Sequence, residues 1–406
     1  MADGAAYKHL FQPISIGSMQ LKNRIVMLPM IMSMDPRGEQ WRSFLLRRAE
    51  GGYGAIIHGA IATDLLLSDK CWGEVGAVKS LTVALSRLVH DVHAAGAKMG
   101  VQLLQLNCYP QIVAIAQTFP NTPPQPLPEV QWVAPSAWVE PTPFIHGGNG
   151  ISGLQLRELT TAEIEDIIGK FAKAAGKCKE IGFDFVEVHG AHGVLPCQFF
   201  SPLDNHRTDK YGGDLKKRMR FGIEIVQGIR GSAGKDFPVL YRIPGEDNMA
   251  GGITLADSIA FAVELEKAGV DCLDVSIGVT ADRVFLDQVA PTKERGEGTF
   301  VALASAIKKR VRVPVVGVGY IRTPQFAESL IAEGKVDLIG MGRQPITDPD
   351  WPKKAMEGRI KEIVACDSCN LNCWRGPFGP VPAGVPFCKM NYEAGREWEL
   401  AHPKGK

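Results

Sequence analysis

Four cysteines near the C-terminal end have the type and spacing of a metal-binding group. Two residues separate Cys366 from Cys369, three separate Cys369 from Cys373, and Cys388 follows after fourteen more, among glycines and prolines. Cysteine thiolates bind zinc and iron–sulfur clusters, and this spacing alone is compatible with both. The residues therefore predict a thiolate metal site whose metal stays open at this point.

Two histidines form the second candidate group. His189 and His192 lie in the segment HGAHGVLPCQFF, directly after a β-rich run. Such a pair can hydrogen-bond one substrate oxygen, bind a metal ion or belong to an ordinary polar network. Because no nearby carboxylate completes a metal triad, we favour polarisation of a substrate oxygen.

Eight short β-rich runs would position these residues. Most are nearly continuous apolar segments, as is typical of parallel strands buried on both faces. They are NRIVMLPM, GAIIHGA, KMGVQLLQL, DFVEVHG, PVLYRIPGE, CLDVSIG, VPVVGVG and VDLIGMG. Helical patterns separate most of them, at 81–95, 161–181, 215–229, 255–268 and 324–333, and Thr160 with Glu163 indicates a helix N-cap. An α/β fold of the (β/α)8 TIM barrel class is predicted, since the count of eight favours it over a doubly wound sheet.

In such a barrel, functional residues gather at the C-terminal ends of the strands. The residues at those ends are Pro29, Met30, Gly59, Ala60, Gln102, Gln105, His189, His192, Arg242, Glu246, Ser276, Gly317, Gly319, Gly342 and Arg343. Glycines followed by an arginine after the last two strands suit a phosphate group, because they allow close backbone approach and add a guanidinium. Glycines at the ends of barrel strands can also serve only to allow a turn, so a phosphate site and a purely structural role are both open.

Composition argues against several classes of protein. The sequence has 45% hydrophobic and 22% charged residues, and no apolar run reaches the roughly 18 residues needed to cross a bilayer. Its 45 basic and 44 acidic residues produce no field that would attract nucleic acid or an anionic membrane. The N-terminus lacks the basic and apolar regions of a secretory signal, so we expect a cytoplasmic protein.

The segment Asn107 to Gly150 is rich in proline and shows no helical period. We expect a lid-like insertion at 107–150 that overhangs the active-site end of the barrel, with a structural flap or a subunit contact as the alternative. A homo-oligomer is compatible with the second interpretation. The predicted units are a barrel at 1–362 and a C-terminal extension at 363–406 that packs on the barrel and carries the cysteines.

The segment HGAHGVLPCQFFSPLDNHRTDKYGGDLKKRMRF resembles the matching region of the Old Yellow Enzyme family of NAD(P)H:flavin oxidoreductases. Similar resemblances cover LFQPISIGSMQLKNRIVMLPM, GVQLLQ, PSA at 135–137 and GMGRQPITDPDWPKKAMEGR. The resemblance implies bound FMN, held by Pro29, Met30, Ala60, Gln102, Arg242, Gly319, Gly342 and Arg343. It also implies that His189 and His192 bind a substrate carbonyl oxygen, so that the β-carbon accepts hydride from flavin N5. NAD(P)H is then the direct or indirect electron donor.

Val194 departs from the family pattern, because most ene-reductases of the family carry a proton-donating tyrosine at this position. Valine cannot donate a proton, so reduction needs another donor. The alternatives are Tyr109, a residue of the insertion, a bound water or His192 itself. We name Tyr109 with the two histidines as catalytic candidates.

The cysteine segment CDSCNLNC is similar to the branch of the family that includes 2,4-dienoyl-CoA reductase and trimethylamine dehydrogenase. By that resemblance Cys366, Cys369, Cys373 and Cys388 would ligate a [4Fe–4S] cluster. The branch normally continues into a second half that binds FAD or ADP and NAD(P)H, whereas this sequence ends at Lys406. We therefore expect a partner for electron exchange, such as ferredoxin, an electron-transfer flavoprotein or a separate flavin subunit.

The leading expectation is the reduction of an activated C=C bond in a small unsaturated carbonyl or acyl-CoA compound. One alternative is an oxidative amine dehydrogenase or demethylase, which needs no acid for the α-carbon and from which the cluster drains electrons. The other is a non-catalytic electron-transfer subunit of a larger complex.

Overall fold

Eight parallel strands close into a barrel in sequence order. The computed structural model describes residues 7–30, 32, 34, 36–68, 80–109, 131–139, 155–278, 289–375 and 387–403. The barrel strands are β1 (Ile25–Met27), β2 (Ala55–Ala62), β3 (Lys98–Leu104), β4 (Phe185–His189), β5 (Val239–Pro244), β6 (Cys272–Ser276), β7 (Val315–Gly317) and β8 (Leu338–Met341). Each strand pairs with the next, and β8 returns to β1 with Ile339 opposite Ile25. All eight predicted strands are confirmed, and the fold is a (β/α)8 barrel.

Helices alternate with these strands along most of the chain. The α-helices span Glu39–Glu50, Thr63–Ser68, Leu81–Ala94, Thr161–Ile181, Leu195–Phe200, Leu215–Ala233, Leu255–Ala268, Val301–Lys308, Pro324–Ala332, Gln344–Thr347, Trp351–Met356, Asn372–Arg375 and Glu397–Ala401, with short 3-10 helices at Lys293–Arg295 and Ile360–Glu362. No helix in these described ranges combines the length and the apolar character needed to span a bilayer.

The longest helix shows why its limits could be predicted from local sequence. The Thr160 hydroxyl accepts a hydrogen bond from the Glu163 N–H at 3.2 Å, and the Glu163 carboxylate accepts one from the Thr160 N–H at 2.8 Å. This capping box satisfies N–H groups that the first helical turn leaves free. At the other end Gly182, with a φ of 108°, stops the helix in the left-handed conformation that glycine adopts at little cost.

The barrel interior changes character along its axis. Its N-terminal part is apolar and includes Ala55, Phe185, Leu240 and Leu338. A hairpin of Ile14–Ile16 and Met19–Leu21 adds Ile16, Met19 and Leu21 to this cluster, and the Ser18 hydroxyl donates to the Asp236 carbonyl just before β5. The hairpin therefore closes the N-terminal end of the barrel. Because inward positions recur every second residue, the next inward residues after Phe185, Leu240 and Cys272 are Glu187, Arg242 and Asp274.

The expected insertion at 107–150 falls mostly outside the described residues, which include only 107–109 and 131–139 of it. These parts are not the unstructured loop that the proline content suggested. Strands Cys108–Tyr109, Gln131–Ala134, Trp138–Val139 and Gln155–Glu158 form a separate four-stranded sheet. Strands of two to four residues are too short to show a detectable period in the sequence. A lid function for the insertion stays a prediction.

The segment that follows the barrel packs against its C-terminal face. The Cys366 N–H donates to Gln344 Oε1 at 2.9 Å, just after β8, and the Tyr320 hydroxyl donates to the Cys366 carbonyl at 3.0 Å, just after β7. Farther along, Glu397 pairs with the fully buried Arg48 of helix Glu39–Glu50. These contacts fix the cysteine segment beside the strand ends. A unit boundary at residue 362 stays a prediction.

Candidate active site

The predicted histidine pair lies at the C-terminal end of β4. The centroids of the His189 and His192 rings are 5.2 Å apart, and the ring planes meet at 83°. His189 ends β4 opposite Arg242 of β5. His192 has a φ of 60°, in the left-handed region that few non-glycine residues occupy. This turn brings the two rings side by side, as the spacing of the pair predicted.

Both imidazole rings are held in the neutral form. His192 Nε2 lies 2.7 Å from the Ser276 hydroxyl at the end of β6. His189 Nδ1 is buried and has no hydrogen-bond partner within the described ranges. Burial and then the charge of Arg242 lower the pKa of His189 to about 3, and the same causes lower the pKa of His192 well below its usual value. Neutral rings can offer N–H groups to an oxygen without bringing a positive charge.

Four polar side chains line the barrel interior next to the histidines, and we call them the polar layer: Gln102, Glu187, Arg242 and Asp274. Their exposed fractions are 3%, 0%, 8% and 0%. Gln102 Nε2 donates to Glu187 Oε1 at 2.7 Å, and Arg242 Nε lies 3.3 Å from Asp274 Oδ2. The second pair is an ion pair without hydrogen-bond alignment, because neither Arg242 Nε nor the Asp274 oxygens form a hydrogen bond with any described residue.

The two acids of the polar layer hold protons more tightly than ordinary carboxyl groups. Burial and then the charge of Asp274 raise the pKa of Glu187 to about 8, although Arg242 and Gln102 act in the opposite direction. Burial also raises the pKa of Asp274, with Arg242 opposing it. Groups with such shifts cluster at functional sites.

The sequence-based prediction did not include Glu187 and Asp274. A signal was present, since each acid is the single charged residue of a fully buried strand, FVEVH or CLDVS. Acidic residues are rarely buried completely unless they are paired. Such a residue in the middle of an apolar run is therefore a usable indicator of a site.

The predicted residues after β1 and β8 lie close to Gly59 and Ala60, which are part of β2, at the C-terminal face of the barrel. A Cβ atom on Gly59 would lie 2.7 Å from the Met30 carbonyl oxygen, and one on Gly342 would lie 3.1 Å from Met30 Sδ. Glycine is therefore required at position 59, where the contact is with backbone, whereas at position 342 the Met30 side chain would only need to shift slightly. Pro29, Met30 and Ala60 remain partly exposed on this face, so their backbone and side chains are accessible to a ligand.

The predicted phosphate-binding residues follow β7 and β8. Gly319 has a φ of 114°, and a Cβ atom there would lie 2.8 Å from the Phe300 nitrogen, so only glycine fits. Arg343 donates to Asn370 Oδ1 at 2.5 Å and to the Pro291 carbonyl at 2.6 Å. These two bonds orient the guanidinium between the end of β8 and the cysteine segment. Phosphate binding by Gly319, Gly342 and Arg343 stays a prediction.

Tyr109 is occupied elsewhere in the structure. Its hydroxyl donates to Asp166 Oδ2 at 2.8 Å, and Lys170 Nζ lies 4.6 Å from its ring centroid, both on helix Thr161–Ile181 outside the barrel. Burial and the bond to Asp166 raise the pKa of Tyr109. Donation to a substrate would first require that bond to break. We therefore leave Tyr109 out of the reaction proposed below, while Val194 is buried at the N-terminus of helix Leu195–Phe200.

The four predicted metal ligands lie near enough to one another for three of the thiols to affect the pKa of the fourth. Cys366, Cys373 and Cys388 are buried, and Cys369 is partly exposed. Burial raises the pKa of the Cys373 thiol to about 12, the thiols of Cys366, Cys388 and Cys369 add to this rise, and Arg343 opposes it. However, no three His, Cys, Asp or Glu side chains of the described ranges are arranged to hold a metal ion. The four thiols are therefore neighbours, but their sulfur atoms are not arranged around a common metal position.

Hydrogen-bonding groups lie beside three of the four sulfur atoms. The Ser368 N–H donates to Cys366 Sγ at 3.5 Å, the Leu371 N–H donates to the Cys369 sulfur, and the Thr347 hydroxyl lies 3.5 Å from Cys388 Sγ. Positive φ angles of 58° at Ser368 and 50° at Asn370 turn the backbone around this group. Donors of this kind stabilise thiolates, so the residues fit a thiolate-ligated metal or cluster in their chemistry.

Known proteins are similar to this chain in sequence and in fold. The family described as NADH:flavin oxidoreductase / NADH oxidase matches residues 9–362. The chain is 38% identical over 395 residues to the metal reductase of Desulforamulus reducens, with 97% of this chain and 55% of that protein covered. It is 38% identical over 397 residues to the NADH oxidase of Thermoanaerobacter brockii, with 96% and 57% covered. It therefore spans about half the length of the curated relatives that it matches.

Among solved structures, a complex of 2-naphthoyl-CoA reductase with 2-naphthoyl-CoA superimposes with a TM-score of 0.81. The two sequences are 30% identical, and the match covers 97% of this chain and 58% of that one.

Proposed function

This chain belongs to the NADH:flavin oxidoreductase / NADH oxidase family, and on that premise we propose that it reduces an activated C=C bond in an unsaturated carbonyl or acyl-CoA compound. The protein is a flavin-dependent oxidoreductase of a family that binds FMN. The observation that carries the proposal is the neutral pair of His189, which ends β4 opposite Arg242, and His192 in the turn that follows, at the C-terminal face of the barrel.

Two neutral imidazole N–H groups are suited to a carbonyl oxygen. Hydrogen bonds from His189 and His192 would withdraw electrons from the carbonyl group, so that the conjugated β-carbon accepts hydride more readily. Ser276 would keep the His192 ring in place through its 2.7 Å contact with Nε2. Because both rings are already neutral near pH 7, oxygen binding should not depend on their titration.

The polar layer and the strand ends would hold the flavin. We assign the ring to Pro29, Met30, Ala60, Gln102 and Arg242, and the phosphate to Gly319, Gly342 and Arg343. Arg242 suits the N1 and O2 side of the ring, because a cation there stabilises the negative charge of the reduced form. When bound, FMN supplies hydride transfer at N5, with NAD(P)H as the direct or indirect source of electrons.

We assign a [4Fe–4S] cluster to Cys366, Cys369, Cys373 and Cys388. The burial of three of these thiols and the N–H groups directed at the sulfurs support metal ligation, and a bound metal would deprotonate Cys373 against its raised pKa. Arg343 contacts the cysteine segment through Asn370 and follows β8, so it joins the two proposed cofactor sites. The chemistry that a cluster supplies when bound is one-electron transfer between FMN and a further redox centre, in the same protein or in a partner.

Anaerobic purification with quantification of iron and acid-labile sulfide tests the cluster assignment. We expect iron and sulfide in equal amounts, and their loss in Cys373→Ser. The matched control is Cys178→Ser, which changes a fully buried cysteine of helix Thr161–Ile181 and should retain both elements. Zinc without sulfide in the unchanged protein would contradict the assignment.

Val194 favours a second candidate function. Oxidation of an amine by FMN needs no acid at the α-carbon, and the buried Val194 side chain cannot provide one. An amine dehydrogenase or demethylase is therefore the competing proposal.

Single-turnover experiments with the flavin-loaded protein separate these candidates. Reoxidation of the reduced flavin by an enoyl-CoA or an enone supports C=C reduction, and its loss in His189→Ala would link that reaction to the histidine pair. Bleaching of the oxidised flavin by an N-methylated amine, with no reaction of enoyl compounds, would overturn the first proposal. Inactivity with both classes would favour an electron-transfer subunit.

A further inference from the structure

The polar layer contains one more acid than cation. Glu187 and Asp274 are completely buried, and Arg242 is the one cation whose charge acts on both of them within the described ranges. The neighbouring His189 is neutral, and the Cys272 thiol below Asp274 is neutral as well, because burial and the charge of Asp274 raise its pKa. With both acids ionised, the layer would therefore carry a net negative charge inside the barrel.

The hydrogen bonds of the two carboxyl groups are incomplete. Glu187 Oε1 accepts a bond from Gln102, whereas Glu187 Oε2 and both oxygens of Asp274 have no hydrogen-bond partner among described residues. A buried carboxylate without such partners is unfavourable, and two acids beside one cation do not both ionise easily. A single added proton would neutralise the layer and reduce the number of unsatisfied negative oxygens.

We propose that Glu187 and Asp274 form one proton-binding site that takes up a proton when the flavin is reduced. The inference rests on the flavin position proposed above, with N1 and O2 beside Arg242. Arg242 is then shared between the flavin and Asp274, from which its Nε is 3.3 Å away. Negative charge that develops at N1 and O2 competes with Asp274 for the guanidinium, and the proton affinity of the two acids rises.

The step balances in charge and atoms. Two electrons reduce FMN, one proton from solvent binds N5, and a second proton from solvent binds the carboxyl pair. On reoxidation, N5 delivers hydride to the substrate, the resulting substrate anion takes one proton from solvent, and the carboxyl proton returns to solvent. The second proton therefore stays on the protein and leaves N1 unprotonated, and the pair compensates the charge of the reduced flavin from inside the barrel.

The pH dependence of the flavin reduction potential tests this inference. For a two-electron couple, each proton taken up changes the potential by about 30 mV per pH unit. Because the pKa of Glu187 is already about 8 before reduction, the pair gains its proton on reduction only above that pH. We therefore expect a slope of about 60 mV per pH unit in the unchanged protein above pH 8, and about 30 mV per pH unit in Glu187→Gln over the same range. Glutamine can still accept the bond from Gln102, so the geometry is preserved. Glu180→Gln, on the exposed surface of helix Thr161–Ile181, is the matched control and should keep the steeper slope.

Infrared difference spectroscopy provides a readout that is independent of activity. Reduction should produce the C=O band of a protonated carboxyl group in the unchanged protein, and the band should be absent in Glu187→Gln or displaced in Asp274→Asn. Equal slopes in all variants, or no carboxyl band on reduction, would overturn the inference while leaving flavin-dependent catalysis intact. A purified chain that cannot bind FMN at all would overturn the proposed function together with this inference.

Discussion

Replacement of Ser276 by alanine tests whether the orientation of His192 determines oxygen binding. Ser276 is 1% exposed, and its hydroxyl lies 2.7 Å from His192 Nε2. This is the hydrogen bond that fixes a ring whose backbone is held at a φ of 60°. The variant removes that contact without adding volume, so the two rings should lose part of their preset arrangement.

The expected effect follows from the energy of one hydrogen bond. A net contribution of about 0.5–1.5 kcal/mol corresponds to a roughly 2- to 13-fold weaker affinity for an oxygen ligand. The assay is titration of the oxidised, flavin-loaded protein with a phenol, followed by the flavin absorbance change. The fitted dissociation constant should rise by that factor, while the flavin content of the protein stays constant.

Ser258 offers a matched control for the same substitution. It is completely buried in helix Leu255–Ala268, and its hydroxyl has no hydrogen-bond partner in the described part of the chain. Ser258→Ala should therefore leave ligand affinity unchanged. If Ser276→Ala binds the phenol as tightly as Ser258→Ala does, the Ser276 contact does not orient His192 for oxygen binding, and our reasoning on the pair is refuted.

Three further predictions concern packing, pH and the phosphate site. A Cβ atom at Gly190 would overlap the Tyr241 ring, so Gly190→Ala should lower the free energy of unfolding by about 1–3 kcal/mol. Nothing lies within 4 Å of a Cβ atom at Gly169, so Gly169→Ala should not lower that free energy. Equal urea midpoints for the two variants would contradict this prediction. The folded pKa of His189, about 3, lies below its ordinary value of 6.5, so the unfolded chain binds the proton first on acidification. Urea unfolding should show stability falling below pH 6.5 by up to about 1.4 kcal/mol per pH unit for this residue, and an unchanged slope in His189→Asn would count against it. Arg343→Lys keeps the charge but loses the forked hydrogen bonds, so the dissociation constant for FMN should rise about 10-fold or more, and an unaltered constant would exclude Arg343 from the phosphate site.

Local sequence was sufficient for the barrel and for many of its helix limits. The helix at 161–181 was predicted with its observed bounds because its cap residues, Thr160 and Glu163, contact each other over three positions. The helix predicted at 215–229 continues to Ala233, because the glycine that caps it is Gly234, whereas the earlier Gly231 lies within the helix. The strand positions could be predicted for the same reason as the helix at 161–181. Apolar runs and their ends depend on a few neighbouring residues.

Contacts between distant residues could not be predicted in this way. The sequence indicated Tyr109 as one of several candidate proton donors, and only the structure shows that its hydroxyl donates to Asp166, 57 positions later. Arg343 was assigned to phosphate from its position after a strand, and its bond to Asn370 in the cysteine segment was not foreseen. Both outcomes depend on how helices and loops dock, which local patterns do not specify.

The sequence by itself determined the class of fold, the positions of the strand ends and the residues of the candidate histidine and cysteine groups. The tertiary structure alone decided that His192 meets Ser276 across 84 positions and that Glu187 and Asp274 share Arg242 inside the barrel. The physical reason is that burial and charge act through space. A carboxyl group in a strand is ordinary until the closed barrel removes its water and brings a second acid beside it.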